Sequence, residues 1–182
     1  YTGRQIRYLL LQTHYRTQLN FTFEGLKSSA HALQRIDDFV YRITNIDKTD
    51  DQNMVSSIID KAKSQFASAL ADDLNISPAL ASLFDMIRDI NTLCDENKVG
   101  VAESKNIITF LKETDQALGI IFTNKDKEEA PKEVLDHLRL RNEARKEKNW
   151  SKADFHRDKI TELGYVIEDS KGKTRLKKIS NR

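Results

Sequence analysis

Residues 24–46, EGLKSSAHALQRIDDFVYRITNI, decide the fold class. Their apolar residues recur at intervals of three and four positions: Leu26, Ala30, Leu33, Ile36, Val40 and Ile43. This spacing places them on one face of a helix with about 3.6 residues per turn. The stretch is therefore predicted to be a long amphipathic helix whose apolar face packs against other helices.

The same periodicity continues on both sides of this stretch. It predicts helices over residues 4–16, 53–70, 77–94 and 101–118. Ser77 and Pro78 are interpreted as an N-cap followed by proline at the first helical position, and Gly119 as a helix terminator. Six Gly and two Pro are too few for the frequent turns of an all-β domain. The prediction is a mainly α protein with an antiparallel helical bundle over residues 1–122.

A charged segment separates this bundle from a smaller unit. Residues 123–130, TNKDKEEA, are predicted to be a linker. Beyond it, helices are predicted over residues 131–148 and 151–163, and strands over residues 165–167 and 174–177. Ser151 is interpreted as the N-cap of the second of these helices. Residues 131–182 are therefore predicted to form a helix–turn–helix followed by a β-hairpin.

Charge is distributed unevenly between these two regions. Residues 131–182 hold 15 Lys and Arg against 9 Asp and Glu, whereas residues 1–130 hold 15 against 19. A basic module at one end of a chain is typical of contact with a nucleic acid. A solubilising tail is the alternative, and the charge alone does not separate the two.

Cysteine and histidine usage excludes several other kinds of site. Cys94 is the only cysteine, so the chain has no internal disulfide, and the four histidines lie at no ligand-like spacing, which argues against a structural zinc site. The longest apolar runs, residues 8–11 and 120–122, are far shorter than the roughly 20 residues of a membrane span. The chain starts at Tyr1 without a secretory signal. These features predict a cytoplasmic fragment of a larger protein, with no membrane partner.

Three segments carry more specific patterns. Residues 141–169 read RNEARKEKNWSKADFHRDKITELGYVIED, residues 72–80 read DDLNISPAL, and residues 7–21 include RYLLL, THYR and LNF. They resemble three parts of bacterial cysteinyl-tRNA synthetases, and they occur along the chain in the same order as in that family. These parts are the C-terminal signature with R-x-x-A-R, W-x-x-A-D and R-D, the D-D-x-N-T-P-x-A-L helix start, and the segment after the K-M-S-K-S loop. His156 and Leu176 depart from the pattern, where an apolar residue and Trp are usual.

The resemblance implies the C-terminal part of a class I aminoacyl-tRNA synthetase. Residues 1–122 would form a DALR-type bundle, with a segment at residues 1–22 that contacts the tRNA stem, and residues 131–182 would recognise the anticodon. The family attaches cysteine to its tRNA with ATP. Because the H-I-G-H and K-M-S-K-S motifs are absent, this fragment is expected to be inactive alone and to hold no cofactor, with zinc and ATP in the missing catalytic half. The implied partners are the tRNA for cysteine and that N-terminal catalytic domain, in a monomeric enzyme.

Five residues of the C-terminal module are expected to contact the anticodon: Arg145, Trp150, Asp154, Arg157 and Asp169. Trp150 would stack on an unpaired base, or would instead be an apolar plug that closes the turn between two helices. Asp154 and Asp169 would accept hydrogen bonds from base amino groups. The alternatives are a capping box of Ser151 with Asp154 and turn initiation by Asp169.

Basic residues are expected to hold the RNA backbone. Arg145 and Arg157 would pair with phosphate, a base edge or a neighbouring carboxylate, and the like charge of Arg141 four residues before Arg145 favours an anionic partner. Weaker phosphate contacts, or simply a solvated end, are predicted for Lys146, Lys148, Lys171, Lys173 and Arg175. His14 and Arg16 either contact the inner corner of the tRNA or have a structural role.

Two functions of other kinds remain open at this point. A helical protein-interaction scaffold with a basic, solubilising tail would share the composition and the helical periodicity. A standalone RNA-binding factor would share the basic module as well.

Overall fold

The computed structural model describes residues 1–47, 54–122, 130–170 and 173–179 and divides the chain into two compact units, Tyr1–Thr123 and Asn124–Arg182. The first unit contains α1 (Gly3–Gln12), α2 (Phe23–Thr44), α3 (Val55–Ala71), α4 (Ile76–Asp95) and α5 (Val101–Leu118). The second contains α6 (Lys132–Lys146), α7 (Trp150–Glu162) and an antiparallel hairpin of β1 (Tyr165–Ser170) and β2 (Lys173–Lys178). The mainly α fold with a C-terminal hairpin is confirmed. The predicted linker lies, except for Ala130, outside the described residues.

The predicted apolar face of α2 lies in the core of the first unit. The core contains Leu33, Ile36, Phe39 and Ile43, whereas Leu26 is buried outside this cluster. The predicted positions Ala30 and Val40 are only half-buried. Apolar side chains of α4 and α5 complete the same cluster, among them Leu83, Met86, Ile90, Ile107 and Leu111. Each such side chain contributes about 1.5–3 kcal/mol when it leaves water, so burial of one face per helix stabilises the unit. None of the helices in the described part of the chain is both long and apolar enough to cross a bilayer.

Two arginines of α1 bind backbone carbonyl groups at the end of α5 and just beyond it. The Arg4 Nε atom donates to the carbonyl oxygen of Ile120 at 2.5 Å, and its two Nη atoms donate to Asp37 of α2 at 3.0 Å each. The Arg7 Nε atom donates to the carbonyl oxygen of Leu118 at 2.7 Å. These carbonyls lie at the end of α5, where no further turn of helix supplies partners. The first helix therefore caps the last helix of its unit.

We expect Gly119→Ala to lower the free energy of unfolding of the first unit by roughly 1–2 kcal/mol. Gly119 ends α5 in the left-handed region at φ 61°, and an added Cβ would lie 2.9 Å from the Nη2 atom of Arg7. Gly3→Ala is the matched control, because a Cβ there meets no atom within 4 Å. Chemical denaturation followed by circular dichroism measures both. Equal losses in the two variants would contradict this account.

One buried carboxylate joins the starts of α3 and α5. Oε1 of Glu103 accepts hydrogen bonds from the backbone N–H groups of Met54 at 3.0 Å and Val55 at 3.3 Å. Oε2 accepts from the N–H of Gly100 at 3.1 Å. Met54 and Gly100 are the N-cap positions of the two helices. A negative charge is stabilised beside helix N-termini, so this side chain caps two helices at once.

The connection between α3 and α4 differs from the sequence-based prediction. Asn75 is the N-cap of α4, not Ser77, and the Ser77 hydroxyl instead donates to the carbonyl oxygen of Gln12 at 3.0 Å. Asp73 and Leu74 both have left-handed backbone conformations, with φ 55° and 54°. These two residues allow a tight reversal that returns the chain against α3. The first helix is also shorter than predicted, because it ends at Gln12.

Candidate nucleic-acid interface

One face of α7 presents three of the predicted contact residues together. Trp150, Asp154 and Arg157 are four and three residues apart, so they lie on the same side of the helix. All three are exposed, with 60% of Trp150 accessible to solvent. Ala153, His156 and Ile160 occupy the buried side. The exposure of Trp150 argues against the alternative in which it plugs the turn.

The start of α7 corrects the predicted cap. Asn149, not Ser151, is the N-cap, and its Oδ1 atom accepts from the N–H of Lys152 at 3.1 Å. The capping box of Ser151 with Asp154 is therefore wrong. Asp154 instead pairs with Arg157, at 2.9 Å between Oδ1 and Nη1. An exposed pair of this kind contributes at most about 1 kcal/mol. Both side chains can therefore change partner at a small cost in free energy.

The turn before α7 brings Trp150 close to the end of α6. The N–H of Asn149 donates to the carbonyl oxygen of Ala144 at 2.8 Å, and Lys148 lies in the left-handed region at φ 58°. This is the hydrogen-bond pattern of a Schellman ending, here with lysine where glycine is usual. Lys146 and Lys148 are both exposed. The turn therefore places two exposed cations within four residues of Trp150.

Asp169 of β1 is bound by two arginines of α6. The Nη1 and Nη2 atoms of Arg141 donate to its two carboxylate oxygens, the first at 3.0 Å, and Nη1 of Arg145 donates to Oδ2 at 2.5 Å. The Thr174 hydroxyl, across the hairpin, donates to Oδ1 at 2.9 Å. The hydrogen bonds from Arg141 are the main reason that the pKa of Asp169 lies well below its usual range. Asp169 is therefore charged and held in one orientation.

This arrangement changes the interpretation of the arginine pair. The like charges of Arg141 and Arg145 favoured an anionic partner, and the structure supplies one within the chain, Asp169. The Arg141 side chain is only 8% exposed, whereas that of Arg145 is 44% exposed. Arg141 was not among the predicted contact residues. Two sequence signals pointed to it, its position four residues before Arg145 and its place as the first residue of the R-x-x-A-R signature.

The hairpin divides its residues between two faces. Tyr165 and Ile167 of β1 pack with Leu176 of β2 against the helices of this unit. Alternation along a strand places Glu168 and its partner Arg175 on the opposite face, as it does Lys177, which pairs with Glu168 at 3.4 Å. Arg175 is thus the described member of the predicted phosphate contacts in the hairpin. Lys171 and the side chain of Lys173 lie outside the described residues.

Two histidines meet between α6 and α7. The Nδ1 atoms of His137 and His156 are 2.9 Å apart, so one ring donates a hydrogen bond to the other. Burial, and then the neighbouring His137, lower the pKa of His156. His156, which stands where an apolar residue is usual, is therefore paired with a second histidine, His137. In the described part of the chain, no group of three or more His, Cys, Asp or Glu could hold a metal ion.

In the first unit, His14 and Arg16 converge on Asp73. The Arg16 Nη1 atom lies 3.2 Å from Oδ2 of Asp73, and the His14 Nε2 atom lies 3.8 Å from it. The Tyr15 hydroxyl donates to Oδ1 at 2.5 Å. These contacts tie the segment after α1 to the left-handed reversal before α4. They give the three side chains a structural role, and the contact of His14 and Arg16 with tRNA stays a prediction.

Comparison with known proteins gives two family matches and a consistent set of relatives. The DALR domain matches residues 65–123, and the cysteinyl-tRNA ligase anticodon binding domain matches residues 127–175. The chain is similar to the cysteine–tRNA ligase of Protochlamydia amoebophila, with 48% identity over 178 residues, or 98% of this chain and 37% of the relative. It is also similar to those of Chlamydia felis (43% identity, 98% of this chain, 38% of the relative) and Chlamydia pneumoniae (41%, 97% and 38%). The chain thus spans between a third and two fifths of these relatives.

Proposed function

The chain belongs to the cysteine–tRNA ligase family, as its C-terminal anticodon-binding part, and we propose that the exposed face of α7 reads the anticodon of the tRNA for cysteine. One observation carries the proposal: an exposed aromatic ring, a carboxylate and a guanidinium lie in a row on one helix of the basic unit, at Trp150, Asp154 and Arg157.

Each member of this row has a distinct role in the proposal. Trp150 stacks on an unpaired anticodon base, an interaction worth about 1–3 kcal/mol. Asp154 exchanges its exposed partner Arg157 for a base amino group, and the anticodon GCA offers such donors on its bases. Arg157 then pairs with a phosphate or with a base edge. Phosphates are held by the basic residues of the same unit that the sequence predicts for this role, which are Lys146, Lys148, Lys171, Lys173 and Arg175.

The proposal extends to the protein from which this part derives. In it, an N-terminal catalytic domain activates cysteine with ATP, uses zinc, and attaches the amino acid to the tRNA. The present chain selects the tRNA and orients it, and His14 and Arg16 contact the inner corner of the same RNA. The enzyme acts in the cytoplasm as a monomer.

We expect Trp150→Ala to weaken binding of an anticodon stem-loop RNA by roughly 5- to 100-fold, because base stacking is lost. Asp154→Ala is expected to weaken binding by roughly 10- to 100-fold, because a hydrogen bond to a charged group is worth about 1.5–3 kcal/mol. Fluorescence anisotropy with a labelled RNA measures both. In the full-length ligase, the same changes raise KM for tRNA and leave cysteine activation by ATP intact.

Phe155→Ala is the matched control, because Phe155 is a second exposed aromatic residue of α7, outside the row. Its loss is expected to change the affinity less than twofold. Binding must also weaken with added salt, by about one power of salt concentration per phosphate neutralised. A protein scaffold would bind the stem-loop negligibly, and wild-type affinity in both row variants would refute the assignment of the row. A standalone RNA-binding factor would be encoded without a catalytic half in the same reading frame.

A further inference from the structure

The carboxylate of Asp169 is saturated with hydrogen bonds. Oδ1 accepts from Nη1 of Arg141 at 3.0 Å and from the hydroxyl of Thr174 at 2.9 Å. Oδ2 accepts from Nη2 of Arg141 and from Nη1 of Arg145 at 2.5 Å. An ionised carboxylate offers about four acceptor positions, and these four donors fill them. A base amino group can bond to Asp169 only if one donor leaves.

The donors differ in how easily they can leave. Arg141 makes two parallel hydrogen bonds, its side chain is only 8% exposed, and Nη1 also bonds to Asn142 at 3.2 Å. Arg145 makes a single hydrogen bond to Asp169 from the last turn of α6, and its side chain is 44% exposed. Withdrawal of Arg141 would leave a guanidinium buried without its counter-charge, which is strongly unfavourable. Arg145 can instead turn into solvent and keep its charge hydrated.

We propose that Asp169 reads its base by donor exchange, in which Arg145 leaves Oδ2 and a base amino group takes its place while Arg141 holds the carboxylate in position. This inference rests on the proposed function and adds the roles of the two arginines. Arg141 is a positioning residue that does not touch the RNA. Arg145, once released, bonds to a phosphate beside the base.

The exchange also determines what can bind. A ligand that supplies an amino donor alone replaces one hydrogen bond of Asp169 but leaves Arg145 without an anion. A nucleic acid supplies both groups at once, since its base bears the amino group and its backbone bears the phosphate. The site therefore favours an amino-bearing base within a strand over a free base.

The test uses the 182-residue chain and stem-loop RNAs that carry the anticodon GCA. In each RNA one amino group is deleted: inosine replaces guanosine, pyrimidin-2-one riboside replaces cytidine, or purine riboside replaces adenosine. The amino ratio is the Kd for the RNA that lacks the amino group of the base read by Asp169, divided by the Kd for GCA, and it is expected to be roughly tenfold for the wild-type chain. Asp154 also reads an amino group under the proposed function, so the deletions are repeated in Asp154→Ala. The deletion that remains damaging there belongs to Asp169.

We expect Arg145→Met to keep the amino ratio for the Asp169 base within about twofold of wild type, because the reading group is intact. Its overall affinity falls by roughly 3- to 10-fold, and the slope of log Kd against log salt falls by about one unit, because one cation is lost. Arg141→Met is expected to bring the amino ratio close to one, because the carboxylate is no longer oriented. Arg139→Met is the control, since Arg139 is an exposed arginine of the same helix that pairs with Glu143. Arg139→Met is expected to change neither the amino ratio nor the slope of log Kd against log salt.

The opposite pattern would overturn the proposal: loss of the amino ratio in Arg145→Met would mean that Arg145 itself reads the base. Retention of the amino ratio in folded Arg141→Met would also overturn it. If Arg141→Met does not fold, Arg145→Met alone decides, because that side chain is exposed. If the wild-type chain binds no stem-loop, the proposed function itself is refuted. If it binds GCA with an amino ratio close to one, only the exchange is refuted.

Discussion

Replacing Glu103 with alanine is expected to lower the free energy of unfolding of the first unit by roughly 3–5 kcal/mol. The change leaves the N–H groups at the starts of α3 and α5 without their acceptor. Val55 and Gly100 are buried, so water reaches these N–H groups poorly. The loss therefore combines two helix caps with unsatisfied buried donors and exceeds the usual effect of a single cap.

Chemical denaturation followed by circular dichroism measures this loss, and Glu113→Ala is its matched control. Glu113 lies on the same helix, and its side chain is 50% exposed and pairs with Lys63 at 2.8 Å. The control is expected to cost less than about 1 kcal/mol, as exposed ion pairs do. Glu103→Gln retains one acceptor oxygen and should fall between the two. Similar losses in the alanine variants of Glu103 and Glu113 would show that the double cap does not stabilise the unit.

Asp169→Ala is expected to have the largest effect on the second unit, whose free energy of unfolding should fall by roughly 2–3 kcal/mol. This loss is smaller than the usual 3–5 kcal/mol for a broken buried ion pair, because Asp169 is itself partly exposed. The change leaves the buried guanidinium of Arg141 without a counter-charge. Trp150 is the only tryptophan of the chain and belongs to this unit, so its fluorescence reports this unit alone. Glu168→Ala, one residue earlier on the same strand, removes a partly exposed pair with Lys177 and is expected to cost less than about 1 kcal/mol.

The pH dependence of unfolding tests the same contact. The pKa of Asp169 is lower in the folded chain, mainly because of Arg141. Its contribution to stability is therefore complete above the unfolded-state pKa of about 3.9 and is lost as the pH falls through that value toward the folded pKa. The wild-type chain should lose stability between about pH 5 and pH 2 more steeply than Asp169→Ala. If the free energy of unfolding falls equally with decreasing pH in the two proteins, the stabilising contact between Asp169 and Arg141 is contradicted.

Local patterns predicted the helices well but predicted their ends poorly. The intervals of three and four residues in α2 report burial directly, because one buried face repeats with the helix turn. Ser77 and Ser151 were placed at N-caps on residue preference alone, yet Asn75 and Asn149 lie there. In both places an asparagine, which shares the N-cap preference of serine, precedes it by two positions. Asn149 makes the side-chain cap hydrogen bond, whereas Asn75 does not.

Long-range contacts of charged side chains were beyond the sequence. Glu103 caps α3 across 48 residues or more, and Arg141 reaches Asp169 across 28. No local periodicity encodes such a pair, because either partner alone is an ordinary charged residue. The candidate contacts on α7 could be predicted from the sequence, because they are local. The spacing of Trp150, Asp154 and Arg157 along one helix already places them on one face.

The contacts of α1 bear on the order in which the chain assembles during synthesis. Arg4 and Arg7 bind carbonyl oxygens that lie 116 and 111 residues later. At about 5–20 residues per second, the ribosome needs roughly 6–23 s to add that length of chain. Throughout this interval the first helix emerges without its final partners, and its arginines remain hydrated. The bundle therefore closes in a late step, when the end of α5 leaves the exit tunnel.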